Sequence, residues 1–194
     1  MAASLAHSYP ARLERVETLR DGGKMLVRPI RPDDASMELA FVEALSAQSR
    51  YMRFFSYARS LSPDMVARLT QVDYVRNLAL VAIITGDGAS RIVGVARYAA
   101  IADSAACEFA VTVADDWQKR GIATLLMQRL IDAARDAGFH RMTGSVMSVN
   151  TAMRPLMRAL GFSSHADPED AALGICSLDL DCNAIAMGAA SLRA

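Results

Sequence analysis

The chain has 194 residues, 53% of them hydrophobic, and its 21 basic residues balance 21 acidic ones. One domain of this size can bury a core without disulfides, and a net charge of zero argues against a nucleic-acid partner, which would call for a basic excess. The cysteines Cys107, Cys176 and Cys182 form neither a CxxC pair nor a Cys/His ligand spacing, so no metal is expected and they read as reduced core thiols of a cytoplasmic protein.

Residues 1–20 carry Arg12, Glu14, Arg15, Glu17 and Arg20 without an apolar h-region; they read as a tail, not a signal peptide. Asp21-Gly22-Gly23 is a turn signal, and residues 21–182 read as the domain proper. Residues 25–30 form a short apolar run, taken as a strand. Pro32-Asp33-Asp34 opens a helix, because proline and acids suit a first turn. A second helix begins across residues 49–55, and Ser62-Pro63 caps a third. Strands are predicted over 78–85, 91–101 and 106–113, joined by turns at Gly86-Asp87-Gly88 and Asp103-Ser104. The spacing predicts a helix over 121–137, with Ile122, Leu126, Leu130, Ala133 and Ala137 on its apolar face and Gly138 as its stop. A strand over 141–146, a helix over 150–160 and closing strands over 162–165 and 174–180 follow, with 183–194 as a second tail. No stretch approaches the roughly 20 apolar residues that span a bilayer, so no membrane partner is expected. Antiparallel hairpins followed by two late βα units make an α+β fold with a central mixed sheet.

Residues 111–124 carry the chemistry. They read as a strand, an acidic turn, a glycine loop and the start of a helix. A dianionic pyrophosphate needs donors without steric bulk, and the N-terminus of the Gly121 helix offers free N–H groups and a positive dipole end. Lys119 and Arg120 add charge nearby. On these residues alone, a glycine-capped loop with two solvated cations remains the alternative.

Gln118-Lys119-Arg120-Gly121-Ile122-Ala123 resembles the Q/R-x-x-G-x-G/A motif of the GNAT acyltransferase superfamily. Residues 150–162, running from Asn150 through a helix to Gly161-Phe162, resemble its second signature. Residues 28–34, 49–55, 69–74 and 107–111 further resemble the acetyltransferase domain of bacterial protein-lysine acetyltransferases. Those enzymes often carry a fused regulatory region, for which this length leaves no room.

The resemblance implies a GNAT-like central mixed, mostly antiparallel sheet with helices on both faces and a splayed V between the two central strands. It implies acetyl-CoA as cosubstrate. Val111, Thr112 and Val113 would bond the pantetheine amides. Gln118 begins the motif, and Lys119, Arg120, Gly121, Ile122, Ala123 and Thr124 would wrap the pyrophosphate. Asn150 would bond the pantetheine arm.

A lysine amine has a pKa near 10.4 and must lose a proton before it attacks a thioester. On the residues alone Glu108 reads as a solvated edge carboxylate; the resembling enzymes place their glutamate base at this position. Asp73 is the second acid to consider, either there or as a loop hydrogen-bonder. Many members place a tyrosine, thought to protonate the leaving thiolate, where this chain has Met157. Another group, or water, is then expected to do so, unless a thiolate with a pKa near 8.5 leaves unaided.

The expected reaction is direct transfer to an amine, most readily a protein lysine, without a covalent intermediate at Cys107. A small amine is the alternative acceptor, and a CoA-sensing module without turnover the alternative of another class. A Rossmann domain would need more glycines than residues 118–123 supply. Trp117 either stacks on adenine or, as is commoner, packs its loop. Arg50 and Arg53 form a salt-bridge corner or a substrate-side patch, Asp115 and Asp116 read as solvated turn acids, and His140 reads as a polar cap. A monomer or homodimer is expected.

Overall fold

The computed structural model describes residues 8–19, 21–55, 60–86 and 88–181. Its frame is an eight-stranded sheet of β1 (Arg15–Thr18), β2 (Lys24–Pro29), β3 (Asn77–Gly86), β4 (Ala89–Ala100), β5 (Ala106–Val113), β6 (Arg141–Met147), β7 (Ser163–Ala166) and β8 (Leu173–Asp179). The strands lie in the order β1-β2-β3-β4-β5-β6-β8-β7. Only β5 and β6 pair in parallel. The helices α1 (Ala35–Ala44), α2 (Ala47–Phe54) and α3 (Pro63–Thr70) come early, whereas α4 (Ile122–Asp136) and α5 (Met153–Ala159) flank β6. No helix among the described residues is long and apolar enough to cross a membrane.

The sheet separates two cores. Leu78, Leu80 and Ala82 of β3 join α4 and α5 in one; Ala79, Val81 and Ile83 join α1 and α3 in the other. Burial of both faces explains why this strand reads as a continuous apolar run. Gly94 lets α4 approach closely, since a Cβ there would meet Ile122 Cγ2 and Leu126 Cδ1 at 3.1 Å each.

The implied V is present. The β5–β6 pairing covers only Ala106↔Arg141, Cys107↔Met142 and Glu108↔Thr143. Beyond it β5 stays with β4 as far as Val113, and β6 stays with β8 as far as Met147. The next residue of β5, Phe109, buries its ring over the next residue of β6, Gly144, where a Cβ would lie 2.6 Å from Phe109 Cε1. The Phe162 ring supports it from behind, with centroids 5.0 Å apart.

Three expectations need correction. Residues 8–19 are no loose tail: they hold a 3-10 turn (Ala11–Leu13) and β1, with Leu13 and Leu19 on the core. Strand β1 was hard to see because Val16, its one large apolar residue, is exposed on an edge strand. Ala137 is the exposed C-cap of α4, and Met127, Ile131 and Ala134 are buried with the predicted face instead. Helix α5 starts at Met153, after a turn at residues 150–152. Cys182 and the second expected tail lie outside the described residues.

An ion pair fastens α1 to β2. Arg28 Nη1 and Nη2 donate to Asp34 Oδ2 and Oδ1 at 2.6 Å each, and the Arg31 N–H donates to Oδ2 at 2.8 Å. Burial raises the Asp34 carboxyl, but these donors outweigh it and hold the group below its ordinary range. A depressed carboxylate stabilises the fold above its unfolded pKa, about 3.9, and loses that contribution as pH falls through the folded value. Asp34→Asn should cost about 3–5 kcal/mol in denaturant unfolding near neutral pH, because Arg28 is left buried and unpaired; the deficit should shrink in acid. Gly144→Ala should cost about 1–3 kcal/mol by the same measurement, through overpacking against Phe109.

Candidate active site

Where β5 and β6 part, two joined clefts open. The first, of about 450 Å³, is walled by residues 111–113, the loop before α4, the first turn of α4, the turn at 149–152 and part of α2. The second, of about 240 Å³, reaches Arg97, Glu108 and Ser145. Met52, Arg53, Val111, Asn150 and Met153 line both and mark their junction.

The first cleft gathers the expected cofactor residues with one exception. Val111, Thr112 and Val113 come from β5, Gln118, Lys119 and Gly121 from the loop, Ile122, Ala123 and Thr124 from α4, and Asn150 from the turn before α5. Arg120 lines neither cleft. Its guanidinium lies 4.4 Å from the Trp117 ring centroid and pairs with Asp21 at 3.3 Å.

The loop is strained and ends on an uncapped helix start. Lys119 has φ +61° and Gly121 φ +84°. A lysine in the left-handed region costs about 1–2 kcal/mol, a strain typical of ligand clamps. Gly121 caps α4 with no side-chain acceptor, so the N–H groups of Ile122, Ala123 and Thr124 keep the free valence of a helix start. Gln118 turns away from this cradle, its Nε2 donating to the Val113 carbonyl at 3.2 Å. Thr112 Oγ1 is buried without a partner.

The acids of this loop are not merely solvated. Asp115 Oδ2 accepts the Ser46 N–H at 2.8 Å. Its Oδ1 accepts the Ser46 hydroxyl at 2.8 Å and the Ser49 hydroxyl at 2.7 Å. Burial raises this carboxyl, but the three donors carry it below its ordinary range. Asp115 thus anchors the N-terminus of α2. Asp116 pairs with Arg91 at 2.8 Å. Trp117 packs against both cores, as the commoner reading expects.

The second cleft holds charges. Glu108 is exposed and is the last residue of β5 paired with β6. Glu108 faces Ala99 and Arg97 faces Ala110 across the β4–β5 pair, so the two charged side chains are diagonal neighbours on one face. Arg97 pairs with Glu38 of α1 at 3.2 Å, yet Glu38 Oε2 and Arg97 Nε are buried without partners. Burial pushes the Glu38 carboxyl up, against the pull of Arg97 and Arg53. Arg53 is half-buried, its guanidinium 4.8 Å from the Phe54 ring centroid. Burial, then the Arg97 cation, lowers its pKa to about 10, with Glu38 and Glu108 opposing. Among the described residues no carboxylate pairs with Arg53. Arg50, by contrast, braces a helix junction by donating to the Glu43 and Leu45 carbonyls.

Glu38 and Arg97 escaped sequence reasoning. The available signal was a charge at an inward position: Glu38 precedes Phe41 and Val42 at helical spacing, and Arg97 shares a strand face with Val95. The remaining candidates fall away from the clefts. Asp73 accepts the Val75 and Asn77 N–H groups at 2.9 and 2.8 Å, as a loop hydrogen-bonder. Met157 is wholly buried. Cys107 is wholly buried too, and burial pushes its thiol up to about 12. His140 Nδ1 meets Asp181 Oδ1 at 2.5 Å. Among the described residues no three His, Cys, Asp or Glu side chains gather into a metal site.

Comparison with known proteins places this architecture. The model of the acetyltransferase (GNAT) family matches residues 45–162. Acetyltransferase PA5475 of Pseudomonas aeruginosa is 43% identical over 155 residues, which are 80% of this chain and 83% of that protein. Acetyltransferase Pat of Mycolicibacterium smegmatis is 33% identical over 144 residues; the match spans 74% of this chain but only 42% of that longer protein. The crystal structure of the GNAT domain of S. lividans PAT superposes with a TM-score of 0.79 at 32% identity, covering 89% of this chain and 99% of that one. The chain therefore belongs to the GNAT acetyltransferase family, as a transferase whose acyl donor is acetyl-CoA.

Proposed function

We propose that the protein transfers the acetyl group of acetyl-CoA directly to a lysine ε-amino group of a protein, with Glu108 as general base. The observation that carries this reading is the position of Glu108: it stands on the last paired residue of β5, in the wall of a cleft that opens into the first one. The pantetheine arm lies in the V, where residues 111–113 have no strand partner on the β6 side. Lys119 and the first turn of α4 hold the pyrophosphate, and Asn150 meets the arm from the other wall. Arg120 contributes long-range charge only, since its guanidinium faces Trp117.

The acceptor enters by the second cleft. Glu108 takes a proton from its ammonium, and the neutral nitrogen attacks the thioester carbonyl carbon. The tetrahedral intermediate sheds the second nitrogen proton to water and collapses, the carbon–sulfur bond breaks with its electron pair on sulfur, and the amide departs with CoA, whose thiolate takes a proton from solvent. Cys107 cannot serve as a relay nucleophile, because its thiol is buried and held protonated. The kinship with Acetyltransferase Pat and the resemblance to bacterial protein-lysine acetyltransferases support a protein acceptor. The charge of the second cleft disfavours a polyamine, since Arg53 and Arg97 face a lone Glu108 there.

Glu108→Gln should lower kcat by about 10²–10⁴-fold and leave the acetyl-CoA Kd unchanged. The check is CoA release against lysine peptides, whole proteins, free amino acids and polyamines. A fully active Glu108→Gln removes the general base, and a small amine that outperforms every lysine substrate removes the protein acceptor. Cys107→Ala should keep its kcat; loss of turnover in a folded, CoA-binding variant would replace direct transfer by a covalent route.

A further inference from the structure

We propose that Arg53 is a catalytic residue of the leaving-group half-reaction, its guanidinium receiving the CoA sulfur as a thiolate when the carbon–sulfur bond breaks. The inference rests on the proposed placement of acetyl-CoA in the first cleft and of the amine in the second, and not on Glu108 as general base.

The thioester sits where the clefts meet, because the donor arm arrives along one and the amine along the other. Among the residues lining both, Met52, Val111 and Met153 have apolar side chains. Arg53 and Asn150 bring donors to that junction, and Arg53 alone brings charge. Helix α5 supplies no proton: it shows Met153 and Leu156 to the first cleft and buries Met157 entirely. The phosphate end is elsewhere, since none of residues 119–124 lines the second cleft. Arg53 shares the first cleft with Lys119 and residues 121–124 but, unlike them, also reaches the second, so it is assigned to the thioester end rather than the pyrophosphate.

A thiol with a pKa near 8.5 that leaves into a partly desolvated cleft needs a cation, because an unpaired charge there costs far more than in water. Arg53 is that cation, and no described carboxylate occupies it. Arg97 beside it is repulsive and is itself held by Glu38. Glu38 and Glu108 act on Arg53 only at longer range, so it faces a neutral thioester before reaction and gains an anion in direct contact only as the bond breaks. An interaction stronger in the transition state than in the ground state raises kcat. The planar fork of the guanidinium can hold the sulfur with one donor and the junction with another in fixed directions, which the rotating donors of an ammonium do not fix.

The step balances. The nitrogen–carbon bond forms, the amine proton passes to the base and on to water, and the carbon–sulfur electron pair stays on sulfur. The thiolate takes a proton from solvent as CoA departs.

The test is an ultraviolet pH titration of the thiol of CoA bound to the full chain. In the wild type the bound thiol should titrate at least about one pH unit below free CoA, a tenfold stabilisation of the thiolate. Arg53→Gln should abolish that shift and Arg53→Lys keep part of it. Calorimetry with desulfo-CoA, which lacks the sulfur, should give the same affinity for wild type and Arg53→Gln. With acetyl-CoA, Arg53→Gln should lose about 10–100-fold in kcat while KM moves less than about threefold. A wild-type thiol that titrates like free CoA overturns the proposal whatever the variants do. So does an unchanged shift in Arg53→Gln, or an equal loss of desulfo-CoA affinity. Glu108→Gln should keep the shift, so a failed general base and a failed thiolate site are read in different experiments. A wild type that binds no CoA removes both.

Discussion

The site depends on an interrupted strand pairing. Parallel strands β5 and β6 could continue side by side for several residues more, since each keeps its other neighbour to its end. Where they part, the Phe109 ring lies over Gly144, and a Cβ at that position would collide with it. The interruption forfeits inter-strand hydrogen bonds worth about 1 kcal/mol net each. It also leaves backbone donors and acceptors facing a gap, which must be met by water or ligand. A chain of amides such as pantetheine restores the pairing that β5 and β6 lack there. This aromatic–glycine contact lies where the V opens, and the second cleft includes the last paired residue, Glu108.

Two buried ion pairs on the same side of the sheet show how stabilising and functional electrostatics differ. In the Arg28–Asp34 pair both carboxylate oxygens are bidentately held and a backbone N–H adds a third donor. Desolvation is offset, and the carboxyl stays ionised. In the Glu38–Arg97 pair one contact at 3.2 Å serves both groups, and an atom on each side is orphaned. Desolvation wins there, and the Glu38 carboxyl rises. The under-compensated pair lies beneath the cleft that holds Arg53 and Glu108. Buried charge left incompletely satisfied costs stability, so its position beside reacting groups fits a site that must remain responsive to a changing charge.

Much of this was legible from residues. Strand β5 spans residues 106–113 as predicted, and α4 lies within one residue of its predicted ends. Both carry strong local signals: a bounded β-rich run, and a helix framed by Gly121 and Gly138, each at positive φ. The glycine loop before α4 was legible for the same reason, since glycine and its neighbours specify their own geometry. What escaped depended on partners distant in sequence. Strand β1 is polar, pairs with β2 as its one strand neighbour, and is tied to α4 through Glu17 and Arg129. Asp115 looks like any turn acid until α2 places Ser46 and Ser49 against it. Arg50 and Arg53, three residues apart, appear equivalent in the chain, yet one braces a helix junction and the other enters the clefts. The function of a polar side chain is fixed by which surface its helix turns to the sheet, and no local propensity encodes that.

Helix α2 is where these strands of reasoning meet. Its eight residues span about 12 Å. Its N-terminus is held by Asp115, which opens the segment that leads through Trp117 to Lys119 and Gly121. Its C-terminal turn carries Met52 and Arg53 to the junction of the clefts, and it ends at Phe55 in the left-handed region with φ +53°. The carboxylate at the start of the loop before α4 thus also holds the N-terminus of α2, the helix that carries Arg53. On the proposed placement of the donor, a loop ordered around the pyrophosphate would hold Asp115 still, and Asp115 in turn α2. The donor's phosphate end and its sulfur end would then be joined through the protein by a short path. Binding energy from the part of the cofactor that does not react would in this way be available to position Arg53, which is how remote binding contributes to catalysis.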